Sequence, residues 1–250
     1  MPYSPLDLAE AFIKTGELTD ALDALNEHLA QSPDDLTARQ TRAAVHLRLD
    51  HLQDALDDLA GLNSPDDRLT RSTIYERMGD LTSALQAVET DTSHDRLIER
   101  RLHLMQKLGQ ISKARQLVES LPRTWRWSQW SGDLAAADQD FAVAVSHYAA
   151  ALSTLPPIDT HALRGIAARL LLARGDAYLA LEQWDAADAD YAAAAVYIPD
   201  EPMIPFNRGI IRYHQGEEEA GLAQCEAAIQ AAPEIMRQAM RATMPQRRSN

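Results

Sequence analysis

The feature that most constrains this chain is a register that recurs along nearly its whole length. A helix-forming stretch ends in a Gly or polar turn residue, at Gly16, Asp50, Gly79, Gly109, Gln139, Glu182 and Gly216. Two places on come Leu18, Leu52, Leu81, Ile111, Phe141, Trp184 and Glu218, apolar in six of seven. Five places on come Ala21, Ala55, Ala84, Ala114, Ala144, Ala187 and Gly221, all small. Seven places before the turns stand Ala9, Ala43, Ser72, Leu102, Gly132, Gly175 and Gly209, small in six of seven. Self-similarity at such a period is the mark of stacked repeats. Two antiparallel helices on a short turn come close only where the side chains at their crossing are small, and the apolar residue after the turn fills the wedge between them. Pro33, Pro156, Pro199 and Pro233 close second helices, because proline cannot continue the hydrogen-bond ladder.

One unit carries the fullest pattern: Leu171, Arg174, Gly175 and Tyr178, then Ala187, Tyr191, Ala194 and Pro199. It resembles the tetratricopeptide repeat, and the last unit, with Asn207, Arg208, Gly209 and Pro233, follows it nearly as well. The resemblance implies an all-α fold, a right-handed α-solenoid of about seven helix–turn–helix units. Residues 234–243 are expected to form a C-terminal capping helix. One domain would then span 1–244, with a disordered tail at 245–250.

The spacings depart from the family in places. Successive turns lie 34, 29, 30, 30, 43 and 34 residues apart, against a usual repeat of about 34. The second to fourth units lack the closing proline, which predicts second helices about one turn short. The 43-residue interval contains Pro156–Pro157–Ile158–Asp159–Thr160. There Asp159 or Thr160 is expected to cap a long helix running from His161 to about Leu181. A break at 156–160 that splits the chain into two halves is the alternative.

Composition narrows function. The net charge is −13, and a chain this acidic is repelled by nucleic acid and by anionic membranes. No run approaches the ~20 apolar residues of a membrane span, and MPYSPLDLAEAF lacks a secretory pattern, so a cytoplasmic location is expected. Cys225 is the only cysteine, which excludes an intrachain disulfide and a thiolate metal cluster. It stands where the family places a bulky core residue and reads as a packing thiol.

No phosphate loop, dinucleotide fingerprint, HExxH, CxxC or GxSxG occurs. No catalytic, cofactor or metal site is therefore predicted, and the chain is not expected to be an enzyme. Asp95, Glu99 and His103 share a helix face but read as a solvated face flanked by Arg96 and Arg100. His46 and His51, five apart, fall outside the reach of side chains on one helix and are not expected to meet. Trp184 takes the wedge position. Trp125, Trp127 and Trp130 open the fifth unit, as core or as an aromatic anchor.

Charge sorts by helix. The first helices of the second to fourth units (36–49, 68–78 and 96–108) hold ten basic residues against Glu76 and Glu99 alone. The second helices of the first three units carry Glu17, Asp20, Asp23, Glu27, Asp54, Asp57, Asp58 and Glu89. Family likeness puts first helices along a concave groove. Lys14, Arg48, Arg77 and Lys107, each two places before a turn, would then form a ladder there, joined by Arg96 and His103. Such cations pair with carboxylates or phosphates of a partner peptide, unless the ladder is only a solvated face. Arg96 and Arg100 resemble part of the family's two-carboxylate clamp for chaperone C-termini. Gln40, Ala44 and Thr70 replace its other members, so that clamp is not predicted.

At the other end Met203, Phe206, Asn207, Ile210 and Tyr213 would line an apolar groove, unless the final helix covers it. The leading expectation is a non-catalytic scaffold or adaptor that binds an acidic or mixed acidic–apolar protein segment. An assembly or secretion chaperone that shields an apolar client, or a structural subunit of a larger complex, are the alternatives.

Overall fold

The computed structural model describes residues 4–89 and 93–246. Over these residues the chain is all-helical, in fifteen helices with no strand among the described residues. They come as pairs: α1 (Pro5–Thr15) with α2 (Leu18–Gln31), α3 (Leu36–Arg48) with α4 (Leu52–Asp58), and α5 (Pro65–Arg77) with α6 (Leu81–Gln86). Next come α7 (Asp95–Lys107) with α8 (Ile111–Glu119), α9 (Trp125–Ala137) with α10 (Phe141–Ser153), and α11 (His161–Ala180) with α12 (Trp184–Ala195). The last pair is α13 (Met203–His214) with α14 (Glu218–Ala231), followed by α15 (Glu234–Thr243). Two compact units divide the chain, Met1–Ala114 and Arg115–Asn250, with the division inside α8. Pro156–Thr160 lies within the second unit, whose α10 and α11 share one apolar core.

In unit 1, α1, α3, α5 and α6 start at side-chain caps. Ser4 with Asp7 and Ser64 with Asp67 each form a reciprocal capping box, and each is followed by proline at the first helical position. There the missing N–H costs nothing. All seven turn residues adopt the left-handed conformation. Gly16, Gly79, Gly109 and Gly216 do so without steric penalty, whereas Asp50, Gln139 and Glu182 (φ 64°, 61° and 57°) hold it as side-chain-bearing residues. The second helices α4 and α6 have 7 and 6 residues, against 14 in α2. Shortening thus falls where the closing proline is missing, but it is about two turns in α4 and α6 and nearer the expected one turn in the 9-residue α8.

Ala9 and Ala21 are fully buried in a cluster with Leu25 and Leu29, and Ala43 and Ala55 with Leu59 and Ile74. Each fully buried Leu or Ile contributes about 1.5–3 kcal/mol.

In unit 2 the same crossing closes more tightly. Gly132 and Gly175 face the rings of Tyr148 and Tyr191, where a Cβ would come within 2.6 and 3.0 Å of ring carbons. Gly209 and Gly221 let α13 and α14 touch backbone to backbone; a Cβ on Gly221 would lie 2.6 Å from both the Gly209 oxygen and the Tyr213 nitrogen. The long α11 starts at Thr160, whose hydroxyl accepts from the Leu163 N–H at 3.2 Å. Trp184 opens α12 inside the Tyr191 core and stacks on His214, ring centroids 4.7 Å apart. Trp127 is buried in α9, and Trp125 packs on the Tyr148 core.

Candidate functional site

The predicted ladder residues all lie on first helices of unit 1, near their C-terminal ends or, for Arg96 and His103, along α7. Their partners differ. Arg77 reaches back to the preceding turn, where Nη2 meets Asp50 Oδ1 and Nη1 donates to the Leu47 carbonyl, both at 2.7 Å. Lys107 Nζ lies 2.5 Å from Glu76 Oε1, and Arg100 Nη1 lies 2.6 Å from the other oxygen. These two cations hold the Glu76 carboxyl below its usual range, the Lys107 hydrogen bond most of all. Arg100 also donates to the hydroxyl and carbonyl of Ser72. Arg77 and Lys107 are therefore engaged in holding one first helix against the next.

The other ladder cations are held loosely or not at all. Arg48 is exposed and has no ion-pair or hydrogen-bond partner among the described residues. Lys14 lies 3.9 Å from Glu10, and Arg96 3.0 Å from Asp66, with all four side chains more than 60% exposed. Exposed pairs of this kind are worth about 0–1 kcal/mol, so a partner's carboxylate can exchange with them at little cost. Arg48 borders a concavity of about 320 Å³ between Ile13 of α1 and Thr37, Gln40, Thr41 and Ala44 of α3. His103 is exposed on α7. The donors of Asp95, Glu99 and His103 do not gather into a metal-sized group.

The arginines just before the small crossing residue have structural partners. Arg42 grips Asp58 of α4 through both Nε and Nη2, and Arg174 grips Asp190 of α12 in the same way. Each pair ties a first helix to its own second helix and raises the arginine pKa further. Arg208 instead reaches Asp188 of the preceding pair, and Arg71 bonds the Leu59 and Leu62 carbonyls.

Three of the five apolar-groove residues pack together, and none of the five is left open. Phe206 is fully buried with Cys225, Ala228, Ile229 and Met240, and Met203 and Ile210 pack on the same cluster. Tyr213 is 6% exposed, and its hydroxyl donates to the Gln246 carbonyl at 2.6 Å. Asn207 donates to Asp176 (3.1 Å) and to the Tyr191 hydroxyl (3.0 Å). Met240 of α15 closes over Phe206, so the final helix covers this face. The chain from Met244 to Gln246 runs alongside without helix; of the tail expected to be disordered, residues 247–250 lie outside the described residues. Cys225 is fully buried, and burial raises its thiol to about 11, far from a thiolate at neutral pH.

One expectation is corrected. His46 and His51 do meet, with Nδ1 atoms 3.4 Å apart and ring centroids at 5.7 Å. They are not on one helix: His46 lies in the last turn of α3 and His51 is the N-cap residue of α4, and the left-handed Asp50 between them folds the chain back. Among the described residues these two and Asp54 are the one His, Cys, Asp or Glu group whose donors all lie within 4.8 Å. The sequence held the signal, because the turn at Asp50 was already located by the register.

No helix among the described residues is long and apolar enough to cross a membrane. The paired helices make this an all-helical repeat protein. The tetratricopeptide repeat family model matches residues 172–234, from late α11 to the start of α15.

Solved structures share the fold more widely. A tetratricopeptide repeat protein from Parabacteroides merdae ATCC 43184 is 17% identical with a TM-score of 0.61, over 96% of this chain and 98% of that one. A chain of the APC/C hetero-tetramer Cut9–Hcn1 is 16% identical with a TM-score of 0.61 over 97% of this chain, which spans 49% of that chain's length. The C-terminal part of a TPR repeat-containing protein from Cytophaga hutchinsonii is 14% identical with a TM-score of 0.53, over 89% and 77%. At these identities the likeness is one of fold. No curated protein matches the sequence significantly. Tetratricopeptide repeats generally mediate protein–protein interactions and are typically non-catalytic.

Proposed function

We propose that this chain is a non-catalytic interaction scaffold that binds an acidic segment of a partner protein along the first helices of unit 1. The observation that carries the reading is Arg48, exposed and unpartnered among the described residues beside the concavity at Ile13 and Ala44. Lys14 of α1 and Arg96 of α7 stand in loose, exposed pairs that a partner carboxylate replaces at small cost. Arg77 and Lys107 act from behind, fixing the spacing of the first helices through Asp50 and Glu76. Arginine's planar fork suits a carboxylate held in two hydrogen bonds. A client-shielding role for Met203, Phe206, Asn207, Ile210 and Tyr213 requires α15 to leave its place over Phe206.

The test is affinity capture from lysate of the source cells, with the native chain beside a Lys14→Glu/Arg48→Glu variant of matched circular dichroism. A partner held by the native chain, released by added salt and lost from the variant supports the reading. Equal capture by both chains refutes it and leaves these cations as a solvated face.

A further inference from the structure

The α3–α4 turn gathers nitrogen and oxygen donors in an arrangement that the binding role of unit 1 does not use. His46 Nδ1 lies 3.4 Å from His51 Nδ1 and 4.0 Å from Asp54 Oδ2. Two donors on one tetrahedral ion at about 2.0–2.1 Å lie roughly 3.3 Å apart, so the histidine nitrogens already have the separation of a shared ion. Local geometry explains the third donor: His51 is the N-cap of α4 and Asp54 its third residue, positions whose side chains face one another.

The surroundings are built as well. The His46 side chain is only 11% exposed, whereas Asp54 is 63% exposed, so the group is anchored on one side and open on the other. The far nitrogen of His46, Nε2, faces Asp58 Oδ2 at 3.9 Å, and Asp58 is itself held by both arms of Arg42. At that distance there is no hydrogen bond, but the carboxylate's charge favours a proton on the Nε2 side of the ring, away from the His51 contact. Arg77 clamps the turn through Asp50 and the Leu47 carbonyl, which fixes the approach of α3 to α4.

We propose that His46, His51 and Asp54 form a binding site for a divalent transition-metal ion of the zinc class. Two imidazoles and one carboxylate suit zinc, nickel or copper and disfavour calcium and magnesium, which take oxygen donors. Three protein donors leave a fourth position, on the exposed side, for water or for a group of a bound partner. The ion would staple the end of α3 to the start of α4.

The test is a zinc titration by isothermal calorimetry on the full chain, stripped with chelator and free of added histidine tags. One zinc per chain is expected, with affinity reduced by more than about tenfold in His51→Ala and unchanged in His161→Ala. His51 is exposed, so its removal leaves the core intact, which circular dichroism checks. Cobalt(II) gives a second readout: the native chain should develop strong visible absorption of a four-coordinate ion, and His51→Ala should not. Absence of zinc binding, equal affinity in His51→Ala, or a weak octahedral cobalt spectrum each overturns the site and leaves a histidine–histidine hydrogen bond.

Discussion

Units 1 and 2 close equivalent helix crossings with different chemistry. In the first two pairs of unit 1 the crossing residues are Ala9 with Ala21 and Ala43 with Ala55, and leucines fill the space beside them. In unit 2 glycine takes the first-helix position at Gly132, Gly175 and Gly209, and the space goes to Tyr148, Tyr191 or the α14 backbone itself. A tyrosine brings a hydroxyl into the core, and that hydroxyl needs a partner. Tyr148 donates to Asp133 at 2.8 Å and Tyr191 to Asp176 at 2.6 Å, one residue after each glycine. Burial pushes both aspartates above the usual carboxylate range and both tyrosines up as well. Unit 1 does the reverse at Glu76, whose carboxyl is held low by Lys107 and Arg100. The Arg42–Asp58 and Arg174–Asp190 pairs are common to both units, so the contrast lies at the crossing and not in every ion pair. A tighter crossing admits a larger ring, and the ring brings a buried acid with it.

The sharpest break of this comparison is Gly221→Ala. It installs in unit 2 the residue that the equivalent positions Ala21 and Ala55 carry in unit 1. Because the atoms it meets are backbone, a loss of more than about 3 kcal/mol is expected by chemical denaturation. A loss under 1 kcal/mol, on the order of a surface change, would mean that α13 and α14 separate easily.

The next prediction concerns pH. Asp176 has a raised folded-state pKa, so above its ordinary value of 3.8 the folded chain holds a proton that the unfolded chain has lost. Stability from this group therefore falls as pH rises from 3.8. Glu76, held low, contributes fully above its ordinary 4.5 and loses that contribution as pH falls through its folded value. Asp176→Asn keeps an oxygen for Tyr191 and Asn207 while removing the buried charge. It is expected to stabilise the protein at pH 7 by on the order of 1 kcal/mol, with the gain vanishing toward pH 4 in denaturation curves. A gain of equal size at both pH values would show that charge burial is not its cause. Hydrogen exchange should accordingly report acid opening first around Glu76 in unit 1.

The smallest effect is at the turns. Gln139→Gly relieves a left-handed side-chain-bearing residue and should raise stability by roughly 0.5–1 kcal/mol, whereas Gly79→Ala should lower it by a similar amount. Melting temperatures of the two variants check both signs. If both fall, the turns are set by side-chain contacts and not by backbone strain.

Much of the architecture was legible before any coordinates. The register located seven turns, and each turn residue is left-handed, including Asp50, Gln139 and Glu182, where no glycine marks it. A cap at Asp159 or Thr160 on a long helix, which proves to be Thr160, the short α4 and α6, and α15 over residues 234–243 all follow from cap, proline and spacing. These are local properties, settled within a turn or two of chain by backbone sterics and hydrogen bonding.

The candidate site was less legible. Sequence placed Lys14, Arg48, Arg77 and Lys107 in register but gave no sign that two of them are spoken for. Arg77 and Lys107 meet Asp50 and Glu76 across 27 and 31 residues, so their pairing depends on how one helix pair stacks on the next. Likewise Phe206 reads as a groove residue until Met240 of α15 covers it, and His46 reads as remote from His51 until the turn brings them together. By itself the sequence determined which residues form helices, where those helices turn and which small residues meet. Only the tertiary structure decided which charges are already paired, which apolar face is covered and which donors converge. The first set rests on interactions along the chain, whereas the second rests on the distances between helices that the chain alone does not encode locally.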